Sequence, residues 1–305
     1  MFASRQSPAT KWQSLRGIRF FSRSSPHKGC FFASASAIPP AVPGGERWIA
    51  YAPTGYFPAE SPPVLPSRES LRVDLRVLRE AGFTGIVTCG AAIPAIPEIA
   101  HDLGFHAMLL GIWDPFDARE RAEALRAVAV HKDFIAGIVV GNEGLTSGRY
   151  TIDRLCKAMS EIRVETQKPV STTEPVDFVL SERKIGECSD FITVNAHPYW
   201  SNEKAPDAAV RWTLEAWEAV RKCYPAKPVL FKEVGLPTAG DEAVSEKAQE
   251  EYYTLLAASD VKFVYFEAFD ARFKQGAIEQ SWGLWDSDRT PKSVVGALPW
   301  RRESR

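Results

Sequence analysis

Eight short apolar runs punctuate the chain, and between them the apolar residues fall into helical spacing. The runs cover residues 48–51, 85–89, 106–113, 135–143, 169–173, 191–197, 228–233 and 262–267. Continuous β-branched stretches such as Ile138-Val139-Val140 read as strands buried on both faces, the pattern of a parallel sheet. After the first run, Ser67-Arg68-Glu69-Ser70 caps a helix whose apolar stripe passes through Leu71, Leu75 and Leu78 and stops at Gly82. The same spacing predicts helices over 97–103, from Asp117 through Leu125 and Val128, over 151–166, 178–187, 207–223 and 245–258, and near 291–298. Eight successive strand–helix units without a hairpin signal predict an α/β fold, a single-domain (β/α)8 TIM barrel over residues 46–305. An open doubly wound sheet fits less well, because eight evenly spaced units favour closure.

The first 45 residues differ from the rest. Arg5, Lys11, Arg16, Arg19, Arg23 and Lys28 stand among serines, and no acid precedes Glu46. That composition is expected for a disordered or targeting-like extension, similar to an organellar transit peptide, and it lacks the sustained apolar core of a secretory signal. The proline-rich piece 38–45 then reads as a linker.

A net charge of −1 over 305 residues gives no footprint for nucleic acid. No apolar run reaches the roughly 18 residues of a spanning helix, so the expectation is a soluble chain, its compartment left open, acting as a monomer. Five scattered cysteines show no zinc spacing, so neither a metal nor a cofactor is expected. Cys89 and Cys156, in apolar surroundings, read as buried thiols, and no disulfide framework is implied.

The chemistry-bearing signal is the way two of the runs end. Ile138-Val139-Val140-Gly141 releases Asn142-Glu143, and Val229-Leu230-Phe231 releases Lys232-Glu233. In a parallel barrel the site lies at the C-terminal ends of the strands. The 90 residues between the two glutamates correspond to three units of about 30, from ~250 residues over eight units. Both carboxyls are therefore placed over one mouth, on the fourth and seventh strands. Paired carboxyls suit a glycosidic bond, one giving a proton to the leaving oxygen while the other meets the anomeric carbon. A phosphate-gripping barrel is the rival, but Gly235-Leu236-Pro237-Thr238-Ala239-Gly240 is a poor anion nest, since proline removes a donor. A non-catalytic sugar-binding barrel would not need both glutamates.

Several segments then carry a resemblance: Val139-Val140-Gly141-Asn142-Glu143, Asn195-Ala196-His197-Pro198-Tyr199-Trp200, Lys232-Glu233-Val234-Gly235-Leu236-Pro237-Thr238, Phe266-Glu267-Ala268-Phe269-Asp270 and Trp282-Gly283-Leu284-Trp285. In this order they resemble glycoside hydrolase family 17, the β-1,3-glucanases and glucanosyltransferases, in its compact bacterial and fungal form. The resemblance covers about residues 48–297. It implies a β-glucan substrate, Glu143 as acid/base, Glu233 as nucleophile, a retaining mechanism without cofactor, and glucanosyl transfer as the alternative to hydrolysis. It also implies sugar-binding roles for Asn195, Glu267, Lys274 and Glu279.

The neighbours have readings of their own. Asn142 is positioned to donate its amide to a sugar 2-hydroxyl. Tyr199 is expected to hydrogen-bond the Glu233 carboxylate. Trp200 and Trp285 are candidate stacking surfaces, and Tyr51 is expected to line the same pocket. His197 reads as structural or as a hydroxyl ligand. The chain departs from the family at Lys232, where a small residue is common, and at Leu236, where plant enzymes carry tryptophan. Strand alternation directs Lys232 away from Glu233, towards the helices.

Overall fold

A computed structural model describes residues 45–302. The expectations for residues 1–44 lie outside the described residues. Eight strands close a parallel barrel in sequence order: β1 (Trp48–Ala50), β2 (Gly85–Val87), β3 (Ala107–Ile112), β4 (Ile135–Asn142), β5 (Val170–Pro175), β6 (Ile192–Ala196), β7 (Val229–Val234) and β8 (Phe263–Tyr265). The ring seals where Trp48 and Ile49 of β1 pair with Val264 and Tyr265 of β8. The outer layer is α1 (Arg68–Glu80), α2 (Ala95–Asp102), α3 (Ala118–Val130), α4 (Ile152–Thr166), α5 (Val176–Ser181), α6 (Lys184–Cys188), α7 (Pro206–Cys223) and α8 (Glu246–Ala257). Three one-turn helices follow: α9 (Ala277–Gln280), α10 (Ser293–Gly296) and α11 (Pro299–Arg302). The single helix expected over 178–187 is split into α5 and α6, and the one near 291–298 is reduced to the turn of α10.

Two apolar clusters fix the strands. One fills the barrel with alternate residues such as Trp48, Ala50, Val87, Leu109, Val139, Leu230 and Val264. The larger one lies between barrel and helices and takes the intervening residues, among them Ile49, Ile86, Leu110, Ile138, Val140 and Phe231. A strand with a core on each face must be apolar at every position, which is why these strands read as continuous runs. Helix α1 shows the complementary rule. The Ser67 hydroxyl accepts from the Ser70 amide at 3.1 Å, and the buried stripe Leu71, Leu75 and Leu78 faces the sheet. Truncating one of these fully buried leucines to alanine is expected to cost about 3 kcal/mol.

The apolar filling gives way to polar groups on β5 and β6. Ser171 meets Thr193 at 3.0 Å, and the Thr173 hydroxyl donates to Asn195 Oδ1 at 2.9 Å. Those bonds orient groups that reach the mouth. Cys156 on α4 and Cys188 on α6 form a disulfide, with Cα atoms 5.4 Å apart. This corrects the expectation of a buried Cys156 thiol. The bond joins neighbouring helices of the outer ring, which the scattered spacing did not reveal. Cys89 is a free thiol, as expected.

Candidate active site

Both strand-end glutamates sit where the ladder slips by one residue. On β4, Val139 pairs with Ser171, but Asn142 already pairs with Thr173. The extra residue is absorbed at Gly141, whose φ is +82° and whose missing side chain leaves room for the Tyr150 hydroxyl. Glu143 follows with φ +52°, its amide donating to the Thr173 carbonyl at 2.9 Å. That left-handed turn swings its side chain over the mouth. The segment behind it is pinned by Glu174, which accepts from the Leu145 and Thr146 amides and from the Thr146 hydroxyl. Arg149 bonds the carbonyls of Asn142 and Trp113. Ser147 Oγ donates to the Glu143 carbonyl at 2.6 Å.

On β7 the slip decides the chemistry. Val194 pairs with Phe231, yet Asn195 pairs with Glu233, so Lys232 is the inserted residue. Phe231 points outward onto Trp217, and Lys232 and Glu233 both turn inward. Lys232 is 1% exposed. Its Nζ donates to Glu233 Oε1 at 2.5 Å and to Asn142 Oδ1 at 2.8 Å. This corrects the expectation that Lys232 faces the helices: alternation fails across a bulge.

The two glutamates acquire opposite character from these surroundings. Glu143 is met by the neutral Asn195 amide, Nδ2 to Oε1 at 2.9 Å. Burial pushes its carboxyl up to about 7, and the Glu233 charge adds to the rise. Burial would also raise Glu233, but the Lys232 ammonium and the His197 ring outweigh it and hold the carboxyl well below the usual range. His197 Nε2 lies 3.4 Å from Glu233 Oε2, and the ring packs on Phe266 and Trp282, so it is both structural and a carboxylate partner. Cys89 Sγ stands 3.6 Å from Oε1, its thiol pushed up to about 11 by burial and therefore neutral. Glu267 is paired with Lys274 at 2.5 Å, and burial still pushes it up to about 7. Glu279 on α9 is part-exposed and adds negative charge near Lys274.

The structure thus gathers Asn142, Glu143, Asn195, Glu233, Glu267 and Lys274 into one hydrogen-bonded and charged cluster. Three expected site residues are placed differently. The Tyr199 hydroxyl donates to Asp241 Oδ2 at 2.9 Å rather than to Glu233, because it sits on the turn after β6 and reaches sideways to the loop after β7. Lys204 bonds the same Asp241 oxygen, so the pair ties two mouth loops together. Tyr51 is 3% exposed, and its hydroxyl donates to Asp74 of α1, away from the mouth. There Asp74 is also held by Thr54 and by Arg289, at 2.8 and 2.7 Å. Trp285 is 3% exposed and packs on Phe83 and Phe269 in the outer core, so it offers no free face. Trp200 is 45% exposed at the rim, as a stacking surface would require. Sequence reasoning missed Glu174, Arg149 and Asp241. Glu174 carried a signal, since the fifth run also ends in a carboxylate.

A closed parallel barrel with two glutamates of opposite character over its mouth has the architecture of a glycoside hydrolase. The chain belongs to that class: residues 49–283 match the BtgE/BtgC glycoside hydrolase domain, and the family 17 resemblance of its motifs is borne out. It is 26% identical over 243 residues to the probable beta-glucosidase btgE of Aspergillus fumigatus, covering 72% of this chain and 42% of that protein. It is 28% identical over 234 residues to the glucan 1,3-beta-glucosidase of Arthroderma benhamiae, covering 67% and 75%. The chain thus spans about two-fifths of the Aspergillus relative. Among solved structures, a family 17 beta-1,3-glucanosyltransferase from Rhizomucor miehei superposes with a TM-score of 0.70 at 22% identity, covering 82% of this chain and 96% of that one. An endo-laminarinase from Formosa superposes at 0.71 and 17% identity, covering 82% and 85%. These two likenesses concern the fold. No helix among the described residues is long and apolar enough to cross a membrane.

Proposed function

We propose that the chain is a retaining glycoside hydrolase acting on β-1,3-glucan, with Glu143 as acid/base and Glu233 as nucleophile. The observation that carries this reading is the asymmetry of partners. A buried ammonium bonds Glu233, and a neutral amide bonds Glu143. At neutral pH one carboxyl is poised to give a proton and the other is ionised, the division of labour that double displacement needs.

In the first step Glu143 gives its proton to the glycosidic oxygen as the C1–O bond breaks, and the bonding pair leaves with that oxygen. A Glu233 carboxylate oxygen forms an ester bond to C1. In the second step the Glu143 carboxylate takes a proton from water, the water oxygen bonds C1, and the ester pair returns to Glu233. Asn142 Nδ2 donates to the sugar 2-hydroxyl, a contact that strengthens as oxocarbenium character develops. The substrate class is supported by the glucan 1,3-beta-glucosidase relative.

Incubation with an activated 2-deoxy-2-fluoro-β-glucoside should leave a sugar on the peptide containing Glu233. Proton NMR of the first product from a laminari-oligosaccharide should show the β-anomer. An initial α-anomer would overturn the nucleophile assignment. The exposed Trp200 favours a second outcome for the same ester, transfer to a sugar acceptor stacked on its indole. Products longer than the starting oligosaccharide would mark that outcome.

A further inference from the structure

Lys232 contacts both sides of the mouth at once. Its Nζ bonds Glu233 Oε1 of β7 and Asn142 Oδ1 of β4, with Cys89 Sγ, just after β2, at 3.7 Å. An ammonium has three donors and no acceptor, so every partner must present an acceptor to it. For Asn142 this fixes the amide: Oδ1 faces the lysine, and the Nδ2 donor must point elsewhere. For Glu233 it removes Oε1 from play as a free oxygen, while Oε2 has, among the described residues, only His197 Nε2 at the longer distance of 3.4 Å. We propose that Lys232 is a positioning residue that sorts both side chains, presenting Glu233 Oε2 to the anomeric carbon and the Asn142 amide to the sugar 2-hydroxyl.

The inference rests on the roles given above to Glu233 and Asn142. The bulge is what makes it possible, because without the inserted residue only one of positions 232 and 233 could turn inward. A buried lysine is unfavourable unless its charge is matched, and here the match is the Glu233 carboxylate itself. The remaining charged or titratable groups around Glu233 are His197 from the end of β6, Cys89 after β2, Glu143 after β4, and Glu267 with its Lys274 after β8. Among the residues hydrogen-bonded to the Glu233 carboxylate, Lys232 alone also holds Asn142. Removing its charge should therefore change two things that a packing residue would not change together.

The test is Lys232→Met, which keeps the stem and deletes the charge. On a laminari-oligosaccharide, kcat should fall roughly 100-fold with KM moving less than about threefold, as for loss of a preorganised contact expressed in the transition state. The acid limb of the pH profile should move up by at least about two pH units, because burial then acts on Glu233 without its counter-charge. The penalty for a 2-deoxy substrate should shrink towards that of Asn142→Ala, since Asn142 Oδ1 then keeps the long 3.5 Å bond from Asn195 Nδ2 and loses the short one. A folded Lys232→Met enzyme with the wild-type acid limb and the wild-type 2-deoxy penalty would overturn the proposal. Carboxyl-carbon NMR of the unaltered protein tests the Lys232–Glu233 ion pair, on which the proposal depends, even if that variant does not fold. The Glu233 signal, assigned with Glu233→Gln, should stay ionised down to about pH 3; titration at the ordinary 4–5 would refute the clamp. A wild-type protein inactive on every β-glucan would sink the proposed function, yet this titration would still judge Lys232.

Discussion

Replacing Glu143 with glutamine should stabilise the protein at alkaline pH while disabling it. The Glu143 side chain is part-exposed at its edge, but burial and the Glu233 charge carry its carboxyl from the usual 4.5 up to about 7. A carboxyl raised on folding favours the folded state below its unfolded value, and that advantage is lost as pH climbs to the folded value. Between pH 4.5 and 7 the unfolded chain releases a proton that the folded chain retains. By pH 8 the accumulated cost is at most about 3.4 kcal/mol, taking 1.36 kcal/mol per pH unit over about 2.5 units. Glutamine keeps the oxygen that accepts from Asn195 and carries no charge at any pH. Urea unfolding of Glu143→Gln should therefore show a gain of about 2–3 kcal/mol at pH 8 and close to none at pH 4. Activity should mirror this. The wild-type rate should fall as pH rises through about 7, and the variant should lose that limb while still attacking an aryl glucoside whose leaving group needs no proton. Equal stabilisation at both pH values, or equal loss on both substrates, would refute Glu143 as the proton carrier.

Trp200→Ala should raise KM for longer oligosaccharides by about tenfold, the worth of one stacking contact of 1–1.5 kcal/mol, with little change on an aryl monoglucoside. Cys156→Ser opens a loop of 32 residues and should lower stability by about 3–4 kcal/mol in urea, with the pH profile of activity unmoved. The barrel closes between residues 48 and 265, so a chain starting at residue 45 should keep both its melting temperature and its activity. A large loss of either would show that the first 44 residues pack on the barrel.

The strands were legible because a strand between two cores must be apolar at each position, and 138–140 or 229–231 cannot easily be anything else. Glu143 and Glu233 were legible because a carboxylate ending such a run has to emerge at the mouth. What escaped depends on breaks in periodicity. A period of two sends Lys232 outward, and only the slip between β6 and β7 brings it in beside Glu233. Tyr51 and Trp285 share the mouth's neighbourhood in sequence, but their rings turn into the outer core, a matter of local backbone that residue type does not encode. Tyr199 met Asp241 because loop shape, rather than strand register, decides contacts beyond the strand ends. The Cys156–Cys188 bond required knowing that α4 and α6 are neighbours.

The inserted lysine has a consequence for electrical balance through turnover. In the proposed mechanism, Glu143 begins protonated and neutral, and ionised Glu233 is matched by Lys232. On that mechanism the first step would leave Glu233 a neutral ester and Glu143 the anion, in the field of the same ammonium. A proton and a bonding pair have moved, yet the sum of charge within the mouth is unchanged. A site that keeps constant net charge need not admit or expel a counter-ion at each step, and solvent has little reorganising to do around it. The rate of the chemical step should then be nearly indifferent to ionic strength, even though every group that performs it is charged.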